Sequence, residues 1–389
     1  MNWVRPFFLV SFFTGSLFSV EVRVLLAKHA TETLPEVVVH GSSGFTISSF
    51  DGSISQVMSE NDLHIGFLKG RLCLNGRSLA VTSFFICPQN KESGFSLGDF
   101  SYDGSLLVVL VDQQLLLINY IELEEYVYSV LRWEGWPNWP IEAKKAFAIV
   151  CRTYAMHNIF TVRNRSKAKK KVWYDIQSST IHQTYQGRHN QCSWRSIVDE
   201  TAGLVLAHNG KPIAAMYDMS CGGVIPSKMD GVDFKRYPYL QRDYACNACA
   251  RWPHYSWSCS IPLADFEKQF QIHVRPGISD TRSFVSRLDA AGVLQDLTIK
   301  TRRGQHPIDA KQLYSKCSMK SLHCTVERRG KQVVISGSGY GHLLGYCQWG
   351  ASYLAQDNHM TCKELLYYYY PHVTLVALKK TEGNGCARL

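Results

Sequence analysis

Between Glu122-Leu123-Glu124-Glu125-Tyr126 and Arg132-Trp133-Glu134-Gly135-Trp136-Pro137-Asn138-Trp139-Pro140 the chain changes character. Acidic residues precede apolar ones at helical spacing, as at a helix N-terminus, and predict a short helix to about Leu131. The segment from Arg132 to Pro140 is too rich in Pro and Gly to continue it. Pro140 suits the first position of a second helix, Ile141 to Phe160. On that helix Ala143, Phe147, Val150 and Tyr154 form an apolar stripe, and Glu142, Lys145, Ile149 and Arg152 form a second line. Three of those four are charged, which suits a solvated face. The Ala-rich remainder suits a buried helix carrying functional charges beside the Glu134 loop.

Upstream the chain reads as strands. Glu21-Val22-Arg23-Val24-Leu25-Leu26-Ala27 alternates and then runs apolar. Further strands are predicted at Glu36 to His40, Gly44 to Ser48, Gly70 to Leu74, Leu79 to Ile86 and Leu106 to Ile118. Downstream, short strands are predicted at Ile197 to Val198, Leu204 to Ala207 and Ala214 to Asp218, with the hairpin signal Asn209-Gly210 between the last two. Val333 to Ser336 reads as a strand entering a glycine-rich loop, and Thr361 to Tyr369 as a helix stopped by Pro371. Arg163 to Lys171 is basic and polar and reads as an exposed loop. It lacks the interleaved aromatics of a nucleic-acid surface, so no nucleic-acid partner is expected. Strands first and helices around Glu134 later make an α+β fold, with a groove between two lobes that would suit a long polymer.

A chain of 389 residues buries one large core or two modest ones. The net charge of +10 suits an acidic or polyanionic partner, and equally a solvated basic surface. Arg5, the apolar run Pro6 to Phe13 and the small residues to Ser19 read as a secretory signal, with an uncleaved anchor as the alternative. The run is short for a membrane span. Export would place the thirteen cysteines in an oxidising compartment, where some form disulfides.

Several groups carry chemistry. Glycoside cleavage needs a carboxylic acid that keeps its proton near neutral pH, which calls for an apolar setting. Trp133, Trp136 and Trp139 around Glu134 offer that setting and flat faces for sugar rings; a Glu bonded to its own loop is the plainer alternative. Lys145 and Arg152 could bind the acidic lactyl or acetamido groups of a cell-wall sugar, or pair with Glu142 or another carboxylate. Ser220-Cys221-Gly222-Gly223 follows a strand, and its glycines allow close backbone approach. Cys246-Asn247-Ala248-Cys249 is half a metal site or a redox pair, with Cys221, Cys259 and His182 as further ligand candidates. Gly337-Ser338-Gly339-Tyr340-Gly341-His342 has the wrong glycine spacing for a dinucleotide fingerprint and reads as a tight loop that brings His342 and Gln348 to a cleft. The sequence contains no H-E-x-x-H, G-x-S-x-G or P-loop.

Together these blocks resemble the SpoIID/LytB family. The resemblance runs from Asn119-Tyr120-Ile121-Glu122-Leu123-Glu124-Glu125-Tyr126 through Glu134, Trp139-Pro140-Ile141-Glu142-Ala143 and Arg152-Thr153-Tyr154-Ala155. It continues in Tyr174-Asp175, Gln183-Thr184-Tyr185-Gln186-Gly187, Thr201-Ala202-Gly203, Ser220-Cys221-Gly222-Gly223, Gly339-Tyr340-Gly341-His342 and Gln348-Trp349-Gly350-Ala351, and ends near Tyr369-Tyr370-Pro371. It implies a peptidoglycan lytic transglycosylase that cuts the MurNAc–GlcNAc bond of denuded strands and leaves a 1,6-anhydro sugar. Glu134 would be its lone acid/base, with Lys145 and Arg152 at the family's cleft lysine and arginine positions. The residues themselves add Trp133, Trp139, Ser220, His342 and Gln348 as expected glycan contacts. The alternative it implies is a non-catalytic glycan-binding partner that enhances a cell-wall amidase. No cofactor is required; a structural zinc at Cys221, Cys246 and Cys249 is the one metal the residues suggest. The expected location is the periplasm or cell envelope. The expected organisation is a signal at 1–19, a β-rich part at 20–120, a catalytic core at 121–376 and a tail at 377–389. Two features depart from relatives: Gln177 and His182 stand where some hold zinc through cysteines, and Glu134-Gly135-Trp136-Pro137 replaces a Glu-Met-Pro.

Overall fold

The computed structural model describes residues 20–33, 36–68, 70–168, 172–179, 181–274, 283–301 and 303–378. The expected signal at 1–19 and nearly all of the expected tail lie outside these residues. The chain is α+β. Its first half builds two sheets packed face to face. One has seven strands, in the spatial order Ile176–Gln177, Glu21–Ala30, Gln114–Glu122, Ser105–Val111, Ser83–Pro88, Phe45–Ser48 and Ser55–Met58. The other has six, centred on Val37–His40 and Asp62–Leu68. Val24, Val39, Phe45, Ile47, Leu63, Ile65, Phe84, Ile86, Leu106, Val108 and Leu117 fill the space between them.

The apolar run Leu106 to Ile118 is two strands, not one. Asp112 and Gln113 interrupt it with φ of 48° and 58°, a hairpin turn. The run stays apolar through both strands because both faces of this sheet are covered. Leu107, Val109, Leu116 and Ile118 bury their side chains on the far face, against Phe85, Trp173 and Tyr174.

The strand Gln114–Glu122 leads directly into helix α1, Leu123–Glu134. The helix is three residues longer than the sequence suggested. Arg132, Trp133 and Glu134 are themselves compatible with a helix, and the break comes at Gly135, whose N–H still reaches the Leu131 carbonyl at 3.0 Å. Helix α2, Ile141–Ala168, also runs longer. Its end takes in most of the segment expected as a basic loop, where Arg163 is paired with Asp175 at 2.9 Å. Ile197 and Val198 lie in helix α3, Cys192–Glu200, rather than in a strand. Trp194, Ile197 and Val198 share one buried helical face, a spacing of three and four.

The long segment after Pro226 contains a second core. Two three-stranded sheets, Ser256–Pro262 with Gln332–Ser338 and Cys324–Arg329, and Phe284–Leu288 with Leu294–Thr301 and Gly304–Asp309, enclose Phe266, Leu297, Ile299, Leu313, Val333 and Ile335. The chain then returns to the first lobe. Helices Gln348–Asp357 and Cys362–Tyr369 pack on α2, and Thr374–Ala377 pairs with Leu204–His208. Thr361 begins the second of these helices with a full capping box to Glu364. No helix among the described residues is long and apolar enough to cross a membrane.

Candidate active-site cleft

Glu134 is the last residue of α1, so its carboxylate emerges where the helix stops. Its Oε1 accepts the Thr184 backbone N–H at 2.6 Å, and its main-chain carbonyl accepts from Gln348 Nε2 at 2.9 Å. Among the described residues Oε2 has no hydrogen-bond partner. The Thr184 donor is held in place by its neighbours. Gln183 is fully buried; its Oε1 accepts from the Tyr126 hydroxyl at 3.0 Å and its Nε2 donates to the Tyr217 hydroxyl at 3.3 Å. Tyr185 donates to Asn119 Oδ1 at 2.6 Å, and Ser129 donates to the Gly187 carbonyl at 2.6 Å. Helix α1 therefore carries both the acid and the anchors for its partner loop. Burial pushes the Tyr126 and Tyr217 phenols well above their ordinary range, with the nearby Glu134 charge adding to it, so both stay protonated, Tyr126 donating to Gln183 and Tyr217 accepting from it.

Gly135 lets α3 close on this corner. A Cβ there would lie 2.8 Å from the Trp194 ring and 2.9 Å from the Leu131 carbonyl oxygen. The departure from Glu-Met-Pro thus goes with a buried Trp194.

Glu134 opens onto a cleft of about 1200 Å³. Trp133, Trp136, Tyr154 and His342 line the first lobe's side, and Asp309, Lys311 and Tyr314 line the second lobe's side. The volume exceeds that of an ordinary small-molecule site and suits several linked rings. Trp133 and Trp136 are among the exposed aromatic residues of the chain.

Other expected contacts sit elsewhere. Arg152 is fully buried and forms an ion pair with Glu124 at 2.7 Å; Glu124 also accepts the Gly203 N–H. Lys145 pairs with Glu200 at 2.7 Å and Glu142 at 3.6 Å. Neither lines the cleft. Both fulfil the pairing alternative, because the α2 face that carries them packs toward α1 and α3 rather than the groove. Trp139 is 5% exposed, wedged edge-on against Phe147 and Trp349, and offers no face to a sugar. Ser220 is fully buried and does not reach the cleft; its backbone pairs with Tyr340 and so fixes the loop that presents His342. Gln348 does reach the cleft but acts on the backbone of Glu134.

His342 stands in the cleft with 40% of its side chain open to water. The surrounding walls still remove enough solvent to lower its pKa to about 4, against a weaker upward pull from the Tyr217 backbone. Its Nδ1 accepts the Leu344 N–H at 3.1 Å. The sequence reading missed Asp218, a second carboxyl in the cleft wall. Burial raises its pKa well above the carboxylate range, favouring the neutral acid, and its Oδ2 accepts the Leu343 N–H at 2.7 Å. It is the second residue of the two-residue strand Tyr217–Asp218, a place that gave no signal. The thiols of Cys221, Cys246 and Cys249 do come together, joined by Cys347, which spacing could not identify.

Residues 111–208 match the family described as SpoIID, stage II sporulation protein. That segment, about a quarter of the chain, is what resembles the SpoIID family. It is 29% identical over 289 residues to an uncharacterized protein of Brachyspira hyodysenteriae, covering 73% of this chain and 75% of that one. It is 22% identical over 274 residues to stage II sporulation protein D of Bacillus subtilis, covering 65% and 74%. A third relative, the amidase enhancer of Bacillus subtilis, is 21% identical over 62% of this chain and 39% of its own length. The matched segment 111–208 contains α1, Glu134 and Thr184, and it ends before the second lobe.

Proposed function

We propose that this chain is an exported peptidoglycan lytic transglycosylase, acting in the cell envelope on the MurNAc–GlcNAc bond of denuded strands, with Glu134 as its acid/base. The observation that carries the reading is the Glu134 carboxyl. It ends helix α1 in the floor of a polymer-sized cleft, with one oxygen held by Thr184 and the other, among the described residues, without a hydrogen-bond partner. In this chemistry Oε2 gives its proton to the glycosidic oxygen as the bond to C1 breaks. The resulting carboxylate then takes the proton of the C6 hydroxyl while O6 bonds to C1. The nucleophile belongs to the substrate, so a single carboxyl completes the cycle and is returned protonated. With Lys145 and Arg152 engaged elsewhere, Arg132 and Lys311 are the cations placed to meet a lactyl carboxylate.

The test is mass spectrometry of products from defined denuded glycan. Wild type should release 1,6-anhydromuramoyl ends and Glu134→Gln none, with its melting temperature retained. Release by the variant at the wild-type rate would sink the assignment. The relative named an amidase enhancer supports a second reading, glycan binding that assists an amidase. That reading expects equal glycan binding by wild type and Glu134→Gln, with no product from either.

A further inference from the structure

Four buried thiols, unused by the proposed chemistry, converge behind the cleft. The Sγ atoms of Cys221, Cys246, Cys249 and Cys347 all lie within 4.8 Å of one another, and Cys221 and Cys249 are 3.8 Å apart. A disulfide would bring two sulfurs to about 2.05 Å. A tetrahedral ion with bonds of about 2.3 Å separates its sulfurs by about 3.8 Å. The ligands come from three separate places: the loop after Asp218, the C-x2-C turn at Cys246 to Cys249, and the residue before helix Gln348–Asp357.

Three further observations point to an anionic centre. Arg242 is 1% exposed among Tyr244, Tyr368 and Tyr369 and, among the described residues, neither Nε nor one terminal nitrogen has a hydrogen-bond partner; the other terminal nitrogen reaches the Val224 carbonyl at 3.5 Å and Cys221 Sγ at 3.9 Å. A guanidinium keeps its charge when buried, so it needs a counter-ion here. A divalent ion with four thiolates carries a net charge of two negative and supplies one. Donors also face the sulfurs: the Cys221 N–H reaches Cys347 Sγ at 3.3 Å, and the Tyr369 hydroxyl lies 3.2 Å from Cys246 Sγ. Finally, a Cβ on Gly350 would lie 2.5 Å from Cys246 Sγ and 3.0 Å from Cys347 Sγ, so the helix backbone lies flush against the cluster.

We propose that Cys221, Cys246, Cys249 and Cys347 bind one structural zinc ion as a tetrathiolate, with Arg242 as its buried counter-cation. Four sulfur ligands and no open position mark a closed structural site. The ion ties the loop after Asp218 to the helix that begins at Gln348. Gln348 in turn holds the main chain of Glu134, so the metal braces the floor of the cleft.

The experiment is elemental analysis of the whole chain purified under reducing, anaerobic conditions, followed by cobalt exchange of wild-type protein. One equivalent of zinc and the visible absorption of tetrahedral cobalt–thiolate are expected. Arg242→Met should weaken zinc affinity about 10- to 100-fold in competition with a chelating dye, the usual effect of losing an outer-shell partner. Cys259→Ser, outside the cluster, should keep full zinc. Metal-free wild type with an unchanged melting temperature would overturn the proposal. So would iron in place of zinc, or mass-spectrometric pairing of these four cysteines as disulfides. Should Cys347→Ser fail to fold, the wild-type zinc count and cobalt spectrum still decide.

Discussion

At the residue scale, His342 shows how a cleft differs from a core. Water reaches its ring, yet the walls deprive a charged imidazole of solvation and lower its pKa from 6.5 to about 4. The unfolded chain takes up this proton near pH 6.5, and the folded chain only near pH 4. Between those values the unfolded state binds more protons, so the stability present above pH 6.5 is lost as pH falls through the window. His342→Gln removes this term. Its melting temperature should therefore fall less than that of wild type between pH 6.5 and 4, read by calorimetry. A proton NMR titration of wild type should place the His342 midpoint near 4; a midpoint near 6.5 would contradict the cleft environment. Sequence alone named His342 and Glu134, because both lie in blocks of distinctive residue type. Asp218 carried no such signal. Its significance comes from burial by segments far apart in the chain, among them the Leu343 N–H.

At the scale of elements, α1 and α2 were legible and their burdens were not. Acidic residues at the start of α1 and Pro140 before α2 marked both helices. Spacing on α2 correctly put Lys145 and Arg152 on one line, but periodicity cannot say what a face meets. It meets Glu124 and Glu200, and so the charges are structural. Arg152→Met should thus cost about 3 kcal/mol, the lower end for breaking a buried pair, because Glu124 is left partly buried without its partner. Urea unfolding measures that loss, and glycan affinity of the folded variant should stay at the wild-type value. A weakened affinity with unchanged stability would return Arg152 to the substrate. Gly135 sets the join between the helices. Gly135→Ala forces a methyl into the Trp194 ring and the Leu131 carbonyl, and the strain should cost about 1–3 kcal/mol. A variant as stable as wild type would show that the α1–α3 contact yields easily.

On the scale of the whole molecule, the two cores divide the work. The first lobe carries Glu134 and the segment that matches the family; the second, built from residues between Ser256 and Ser338, supplies the opposite wall. Its strands were mostly missed because segments such as Ser256–Pro262, Leu294–Thr301 and Cys324–Arg329 are rich in Ser, Thr, Gln and charged residues and bury only one face, which leaves a weak apolar signal even where chain neighbours pair. The groove itself was expected from the function of a polymer-cutting enzyme, and the residues of its far wall were not. Lys311 and Tyr314 both lie on helix Ala310–Lys316, exposed on the cleft side. If the second lobe holds a lactyl-bearing strand, Lys311→Ser should weaken binding of denuded glycan roughly two- to fivefold, the ~0.3–1 kcal/mol of an exposed charge pair. The difference should shrink as salt rises, because an exposed pair is screened. Melting temperature should change little, since the Lys311 side chain is exposed. Tyr314→Ala should weaken binding by loss of a stacking face, and that loss should persist at high salt. Binding unchanged in both variants at low salt would confine recognition to the first lobe, leaving the far wall as a boundary that shapes the groove without touching the glycan.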